Sequence, residues 1–433
     1  MLSRACFLNR ITFASACAAL VLLPAAADVA GPGHGTDAVT ALTAQTAFAA
    51  TDTLSNGNRV VYDGSQVWIE TDAGVVVQFL GNPTPQGTFA GFIEVDPTET
   101  FAVLGETSNG QIFKVALAGG PPAPLSNLPF NYDLEYESAT TALVSAATCV
   151  GFTCTNGVYR LDLSTGATTQ IVQVDGYSGP VSLSGAGDLY LGVLPNGVPS
   201  GGSSVLRWTA AQVAAGPWPL TEAGAAVFTP GLDGVADMVF DPGFGHLFLT
   251  GGVAGGELLE IDRSGAVVGA AVLSNHWLTT VEIFDAPGDG ACAAFQPAGR
   301  VLKYRSTDFS NGSSAVTTIS PRRPVLTAVQ NGNGTMTCTL TGGQPASATL
   351  VVSGHVSIYS PIETAYDLGT YLLWTGIPFN HIRRAGLGFM TDANGTGSFT
   401  FANPPSIQGT RVLHALVRDA NGVFRGSSTP AFN

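Results

Sequence analysis

Residues 234–268 read GVADMVFDPGFGHLFLTGGVAGGELLEIDRSGAVV, and the fold is decided in this stretch. Three short apolar runs, DMVFD, HLFLTG and ELLEID, are separated by Gly-rich turns. Each run is too short for a helix and is bounded by turn residues, which is the pattern of consecutive antiparallel strands. A fourth run, AVVGAAVL, follows Gly265. The order strand, turn, strand, turn, strand, turn, strand is the motif to look for elsewhere.

It recurs. Opening strands in register with Asp237–Pro242 are FIEVDP at Phe92, DLEYES at Asp133 and VEIFDA at Val281, with a weaker copy, PVSLSG, at Pro180. Second strands follow as FAVLG, TALVSA, ACAAF and DLYLG, and third strands as QIFKVAL, GVYRLDL, RVLKYRS and SVLRWTA. The segment RVVYDGSQVWIETDAGVVVQFL, Arg59–Leu80, adds a shorter sixth unit. A period of about 40 to 50 residues with four short strands in each unit is the signature of a β-propeller. One such sheet cannot bury both faces, and packing sheets face to face around an axis buries them. The expected class is all-β: a propeller of about six four-stranded blades over 55–320, then a C-terminal β-sandwich over 325–433. After Ser320–Pro324 (SPRRP) the rhythm changes to longer strands, ATLVVSG, GSFTFANP and TRVLHALVRDANGVFRGSSTPAF. Residues 28–54 are a weakly patterned lead-in that either stays loose or supplies one strand to close the ring. The one short helical candidate is Thr209–Ala215, TAAQVAA.

The N-terminus carries Arg4 and Arg10, then the apolar run Ile11–Pro24, then Ala25–Ala27. This is the signal-peptide pattern, with residues 1–27 removed and the chain secreted, held at the cell surface or periplasmic. No segment of the mature chain offers the roughly 18 apolar residues of a membrane span. Of six cysteines, Cys6 and Cys17 leave with the signal. Disulfides are the expectation for the rest in an oxidising compartment: Cys149 with Cys154, and by elimination Cys292 with Cys338. Four cysteines allow other connectivities, and a metal site is the rival reading of Cys-x4-Cys.

The formal net charge is −14 and only 11% of residues are charged. With no basic run, nucleic acid is excluded as a partner. Small molecule, glycan or protein remain. Elbow, zinc-helix, P-loop and EF-hand motifs are absent. Inner-strand carboxylates Glu94, Asp133, Asp237 and Glu282 are the candidates for a central metal, because converging carboxylates need a hard cation or a proton. Such a site would take Ca2+ or another divalent cation; the plainer reading is a set of acids lining a wet channel. The acid closing each first strand, Asp96, Glu137, Asp241 and Asp285, reads as a turn cap. His276, Trp277 and Tyr177 are the ligand-binding candidates at a channel mouth, against the ordinary use of aromatics to fill the wedge between blades. Asn311, Asn333 and Asn394 open sequences that match the glycosylation sequon, but the preferred reading is ordinary Asn-Gly turn chemistry.

The stretch at 234–268 resembles a blade of the NHL, SMP-30/gluconolactonase and streptogramin-lyase-like propellers. It has apolar-x-apolar-Asp-Pro, a Gly turn, an apolar strand and Leu-x-x-Ile-Asp-x-x-Gly, repeated in degraded form over 55 to about 318. The group contains lactonases, lyases and pure binding modules, and its SMP-30-like lactonases hold a metal at the channel. Residues Ala415–Ser428 resemble the closing hairpin of small β-domains appended to secreted bacterial propellers, which implies attachment, sorting or stabilisation. The expected function is ligand or partner binding at the channel face. The alternatives are a cation-dependent hydrolase or lyase of lactonase type, and a structural envelope or matrix component.

Overall fold

In the computed structural model, the apolar positions of each unit lie between two sheets, as the repeat logic requires. The described residues are 34–43, 49–84, 87–197, 202–241, 246–251, 256–273, 276–285, 300–308, 310–321, 325–341, 348–355, 364–367, 372–375, 383–393, 395–402, 411–418, 424–426 and 431–432. They form two compact units, which divide near Ser320.

The first unit is a six-bladed propeller. Blade one is Ala50–Thr53, Arg59–Tyr62, Val67–Glu70 and Val76–Gly81; blade two is Ala90–Val95, Phe101–Glu106, Gln111–Ala116 and Ala123–Asn127. Blade three is Asn131–Tyr136, Thr141–Val150, Thr153–Asp162 and Thr168–Asp175, with Leu220–Thr221 added in parallel at its edge. Blade four is Val181–Leu183, Leu189–Val193, Ser203–Trp208 and Ala226–Leu232; blade five is Asp237–Asp241, His246–Gly251, Gly256–Ile261 and Val267–Leu273. The first strands of successive blades are neighbours around the axis. Four apolar clusters among the described residues each join two blades. Val60, Tyr62, Val67 and Ile69 of blade one pack with Ile93, Val95, Leu104 and Val115 of blade two. Further clusters join blades two and three, three and four, and four and five. Each fully buried Val, Leu or Ile contributes about 1.5–3 kcal/mol, so these interfaces are the main source of stability.

Blade six departs from the expected strand order. Its first strand, His276–Asp285, pairs directly with Arg300–Asp308, which in turn pairs with Ser314–Pro321. RVLKYRS is therefore a second strand and not a third. ACAAF, with Cys292, lies outside the described residues. The missing outer strand comes from the N-terminal side: His34–Ala41 lies beside Ser314–Pro321. Ala50–Thr53, also within the lead-in, is the innermost strand of blade one. The lead-in thus supplies two strands and closes the ring. The expected helix forms at Ala210–Ala215, capped by Thr209 and Gln212 in reciprocal bonds.

The second unit is a β-sandwich. A sheet of Val325–Gln330, Thr335–Thr341 and Gly397–Ala402 contributes Leu326, Met336, Cys338 and Leu340 to a core shared with Val351, Leu413 and Ala415 of the larger sheet. Cys149 and Cys154 form the expected disulfide. Cys338 does not take part in one: it is a buried free thiol on an inward-facing strand position, and burial pushes its pKa up to about 11. The expected Cys292–Cys338 bridge is corrected accordingly.

Removing residues 28–41 leaves the Ser314–Pro321 edge without its neighbour. We expect the melting temperature to fall by at least ~5 °C, given about 2–4 °C per kcal/mol in a domain of this size. Differential scanning calorimetry of chains beginning at residue 28 and at residue 42 checks this; equal melting would mean that the closing strand is dispensable.

Candidate functional site

Strands within a blade alternate in direction, so the connections fall on two opposite faces. First strands begin, and second strands end, on one face, here called the loop face. Inner-strand acids hang just below it. Asp133 accepts the backbone N–H of Leu134 at 2.8 Å and, across the blade boundary, that of Val181 at 2.7 Å. Asp237 does the same with Met238 and Val281, both at 2.8 Å. Asp52 repeats the arrangement with Thr53 at 2.8 Å and Val95 at 2.7 Å. Glu282 closes the circle, accepting the Thr53 N–H at 3.2 Å and the Thr53 hydroxyl at 2.5 Å. These carboxylates bolt blade one to two, three to four, five to six and six to one. A carboxylate satisfies inner-strand N–H groups that no neighbouring strand can reach, and such charge-assisted bonds are about twice as strong as neutral ones.

Asp237 is also close enough to both Asp133 and Glu282 for their charges to repel its own. Burial, then Asp133, then, more weakly, Glu282 raise the Asp237 pKa well above the carboxylate range, against the opposing pull of its two N–H donors. Arg305, in blade six, is buried and donates to the Thr279 hydroxyl at 2.8 Å and to the Ala49 carbonyl. Burial lowers its pKa to about 10, against the favourable fields of Asp237 and Glu282. Tyr132 reaches across the lumen, its hydroxyl donating to the Ala236 carbonyl at 2.7 Å, and burial raises its pKa. Glu94 is half-buried on its strand, and its carbonyl receives the Tyr136 hydroxyl at 3.1 Å. Of the four expected metal-binding acids, Asp133, Asp237 and Glu282 are electrostatic neighbours with oxygens engaged by backbone or by Thr53. Among the described residues no group of three or more His, Cys, Asp or Glu is arranged to hold a metal ion.

The strand-end acids lie on the opposite face. Burial works against the Asp96 charge, but bonds from Thr98, Phe101 and Thr100 hold its pKa below the usual value, as a turn cap should. Glu137 pairs with Arg160 at 2.6 Å, while Asp241 is buried. Asn311 lies in the turn between Asp308 and Ser313, and the Asn333 side chain accepts from Thr335. Asn394 lies outside the described residues.

His276 and Trp277 open the inner strand of blade six on the loop face. His276 is half-buried opposite Asp308, and Trp277 is exposed. Tyr177 lies between blades three and four on the same face, its hydroxyl donating to the Phe152 carbonyl at 3.0 Å. Trp277 and Tyr177 therefore share a face but not a pocket, being separated by blades four and five. Sequence reading missed their strongest companions. The Cys149–Cys154 bridge staples a hairpin whose strands are ten residues long, against six in blade two, and whose tip exposes Val150 and Phe152 almost fully (82% and 91%). Phe89 and Phe130 are exposed on the neighbouring connections. The Phe89 carbonyl receives the Thr107 N–H at 3.1 Å, and the Thr107 hydroxyl donates to the Asn131 carbonyl at 3.1 Å, next to Phe130. The one available signal was Val-Gly-Phe between two cysteines.

No protein-family model matches the chain, and no curated protein does. Among solved structures it is similar to regucalcin, a calcium-binding protein from Agrobacterium tumefaciens, at 13% identity over 63% of this chain and 90% of that one, TM-score 0.44. It is similar also to a putative TolB from the same organism (11%, 63% and 90%, TM-score 0.37) and to hydrazine synthase from Kuenenia stuttgartiensis (10%, 75% and 80%, TM-score 0.35). Likeness at this level bears on neither activity nor ligand.

Asp133→Ala leaves two backbone N–H groups without an acceptor. We expect a loss of about 2–3 kcal/mol in urea unfolding, and no loss would mean that the bolt is idle. Asp237 binds its proton more tightly folded than unfolded, so stability falls as pH rises from the unfolded carboxyl value, about 3.9, toward the raised folded one. Asp237→Asn should lack that slope in a series of melts across acid pH.

Proposed function

We propose that this is an exported propeller protein that binds a ligand or protein partner on the loop face, with the sandwich as an accessory module. The observation that carries this is the set of aromatic and apolar side chains exposed there: Phe89, Phe130, Val150, Phe152 and Trp277, with Tyr177 holding the stapled tip. Soluble proteins seldom leave so many large apolar groups on one face without a partner. Export is supported by the tripartite N-terminus and by the Cys149–Cys154 bridge, which suits an oxidising compartment.

A cation-dependent hydrolase or lyase is the second reading. The repulsion of Asp237 by Asp133 and Glu282 favours it, since a divalent cation such as Ca2+ would relieve that repulsion. To coordinate it, these carboxylates would have to share oxygens already engaged by Val181, Val281 and Thr53.

Glycan and peptide arrays probed with the mature chain and with a Phe152→Ser, Trp277→Ser double variant test the first reading. We expect array hits that weaken at least about tenfold in the variant, the scale of aromatic hot spots; hits indifferent to it would place binding elsewhere. Elemental analysis of the purified protein, with lactone hydrolysis measured with and without chelator, tests the second: stoichiometric metal and chelator-sensitive turnover are its expected results.

A further inference from the structure

We infer that the loop face takes a cationic polypeptide segment bearing aromatic or apolar side chains. This rests on the reading that the face binds a ligand, and it names the chemistry of that ligand.

Basic residues in the propeller are segregated by face, whereas acids lie on both. Its basic residues are Arg59, Lys114, Arg160, Arg207, Arg263, Arg300, Lys303 and Arg305. On the face opposite the loop face, Arg59 pairs with Glu70 at 2.9 Å and Asp72 at 3.1 Å, and Lys303 approaches Asp72 at 3.8 Å. Arg160 pairs with Glu137 and Arg207 with Asp188 toward the same side, where Lys114 lies over the Phe101 ring. Arg263 sits in the turn from Asp262 to Ala266 on that side, and Arg305 is buried. Among the described residues that join strands on the loop face, 42–43, 49, 63–66, 82–84, 87–89, 107–110, 128–130, 151–152, 176–180, 194–197, 202, 233–236 and 310–313, none is Lys or Arg. Acids are present there instead. Asp175 is exposed, and Asp233, Glu257 and Asp308 are half-buried at strand ends. Below them the lumen holds Asp133, Asp237 and Glu282.

An acidic surface without cations, on a chain of net charge −14, attracts positive ligands and repels anionic ones, including anionic membrane surfaces. The aromatic groups extend from Phe89, before blade two, through the stapled tip of blade three, to Trp277 of blade six. A single ion or small amine would use one of these places; a peptide with Lys or Arg among aromatic residues would use several together. Phe152 is the natural anchor, because its hairpin is covalently closed and tied to Tyr177, so little order is lost on contact.

The test is fluorescence anisotropy of the full mature chain with three labelled peptides of equal length: Lys, Gly and Phe; the same with Glu for Lys; and the same with Ser for Phe. We expect the Lys/Phe peptide to bind at least about tenfold more tightly than either counterpart. Raising salt should weaken it, because contacts beyond a Debye length are screened. Phe152→Ser should reduce affinity about tenfold with unchanged melting, and an Asp175→Asn, Asp233→Asn pair should flatten the salt dependence. Equal affinity for the Glu peptide, or indifference to both sets of variants, overturns the inference, as does cosedimentation with phosphatidylcholine vesicles in place of peptide binding. If the peptides fail while array hits remain sensitive to Phe152 and Trp277, only the ligand chemistry is wrong; if neither responds, the site reading falls as well.

Discussion

A blade of this chain buries both faces of its sheet only while another blade lies on each side, and everything else follows from that constraint. Six sheets with apolar residues on both faces have no stable open arrangement, since the two end sheets would each present a wet apolar face. The ring must close, and it closes twice. At the axis Glu282 takes the Thr53 N–H and hydroxyl, and at the rim His34–Ala41 completes the sheet that Arg300–Pro321 leaves a strand short. Interlocking the chain's beginning with its last blade joins two sequence-distant segments in one cooperative unit.

The same constraint explains the carboxylates. Inner strands converge on the axis, where their backbone groups cannot all find strand partners. An acid at the right depth of the strand accepts its own next N–H and one from the adjoining blade, as Asp52, Asp133 and Asp237 do. Joining blades this way crowds negative charge around the lumen, and the raised pKa of Asp237 is the electrostatic consequence. Arg305 offsets part of that charge from blade six, held between Thr279 and Ala49. An acidic lumen can thus arise from structural need alone, so convergence of acids here is weak ground for catalysis.

Most of the fold was legible because its signal is periodic. FIEVDP, DLEYES and DMVFDP can be laid on one another, and the structure makes each a first strand. What escaped were segments without a copy to align to. Ala50–Thr53 reads as ATDT, four residues with one apolar side chain, and becomes a strand only because Arg59–Tyr62 lies beside it. RVLKYRS matched third strands in composition, yet pairing decides order, and the Arg300–Asp308 strand is in backbone register with His276–Asp285. The acids were identifiable as inner-strand residues, but a sequence gives residue type and not partner. Nothing in DLEYES says that Asp133 reaches Val181, 48 positions on. Cys338 fails as a bridge for the same reason: parity counting suggests a mate, whereas its strand turns it into the sandwich core.

The exposed aromatics obey a different logic, because no folding constraint asks for them. Val150 and Phe152 project beyond the blade on strands longer than the sheet needs, and the bridge at their base holds a tip that contributes nothing to the core. The Phe130 backbone sits at φ 47°, a conformation a bulky residue adopts only when its surroundings enforce it. The next residue, Asn131, is fixed from two sides, donating to the Glu106 and Leu128 carbonyls at 3.0 and 3.1 Å. Apolar groups held rigid, outward and against local preference lower the ordering cost of an encounter. Acids lie on both faces, but those of the opposite face are paired with the propeller's cations, so on the binding reading proposed above the loop face is the one whose negative charge is not offset by Lys or Arg. The inner-strand bolts lie beneath those connections, so the interactions that close the ring also hold in place the strands from which the exposed groups project.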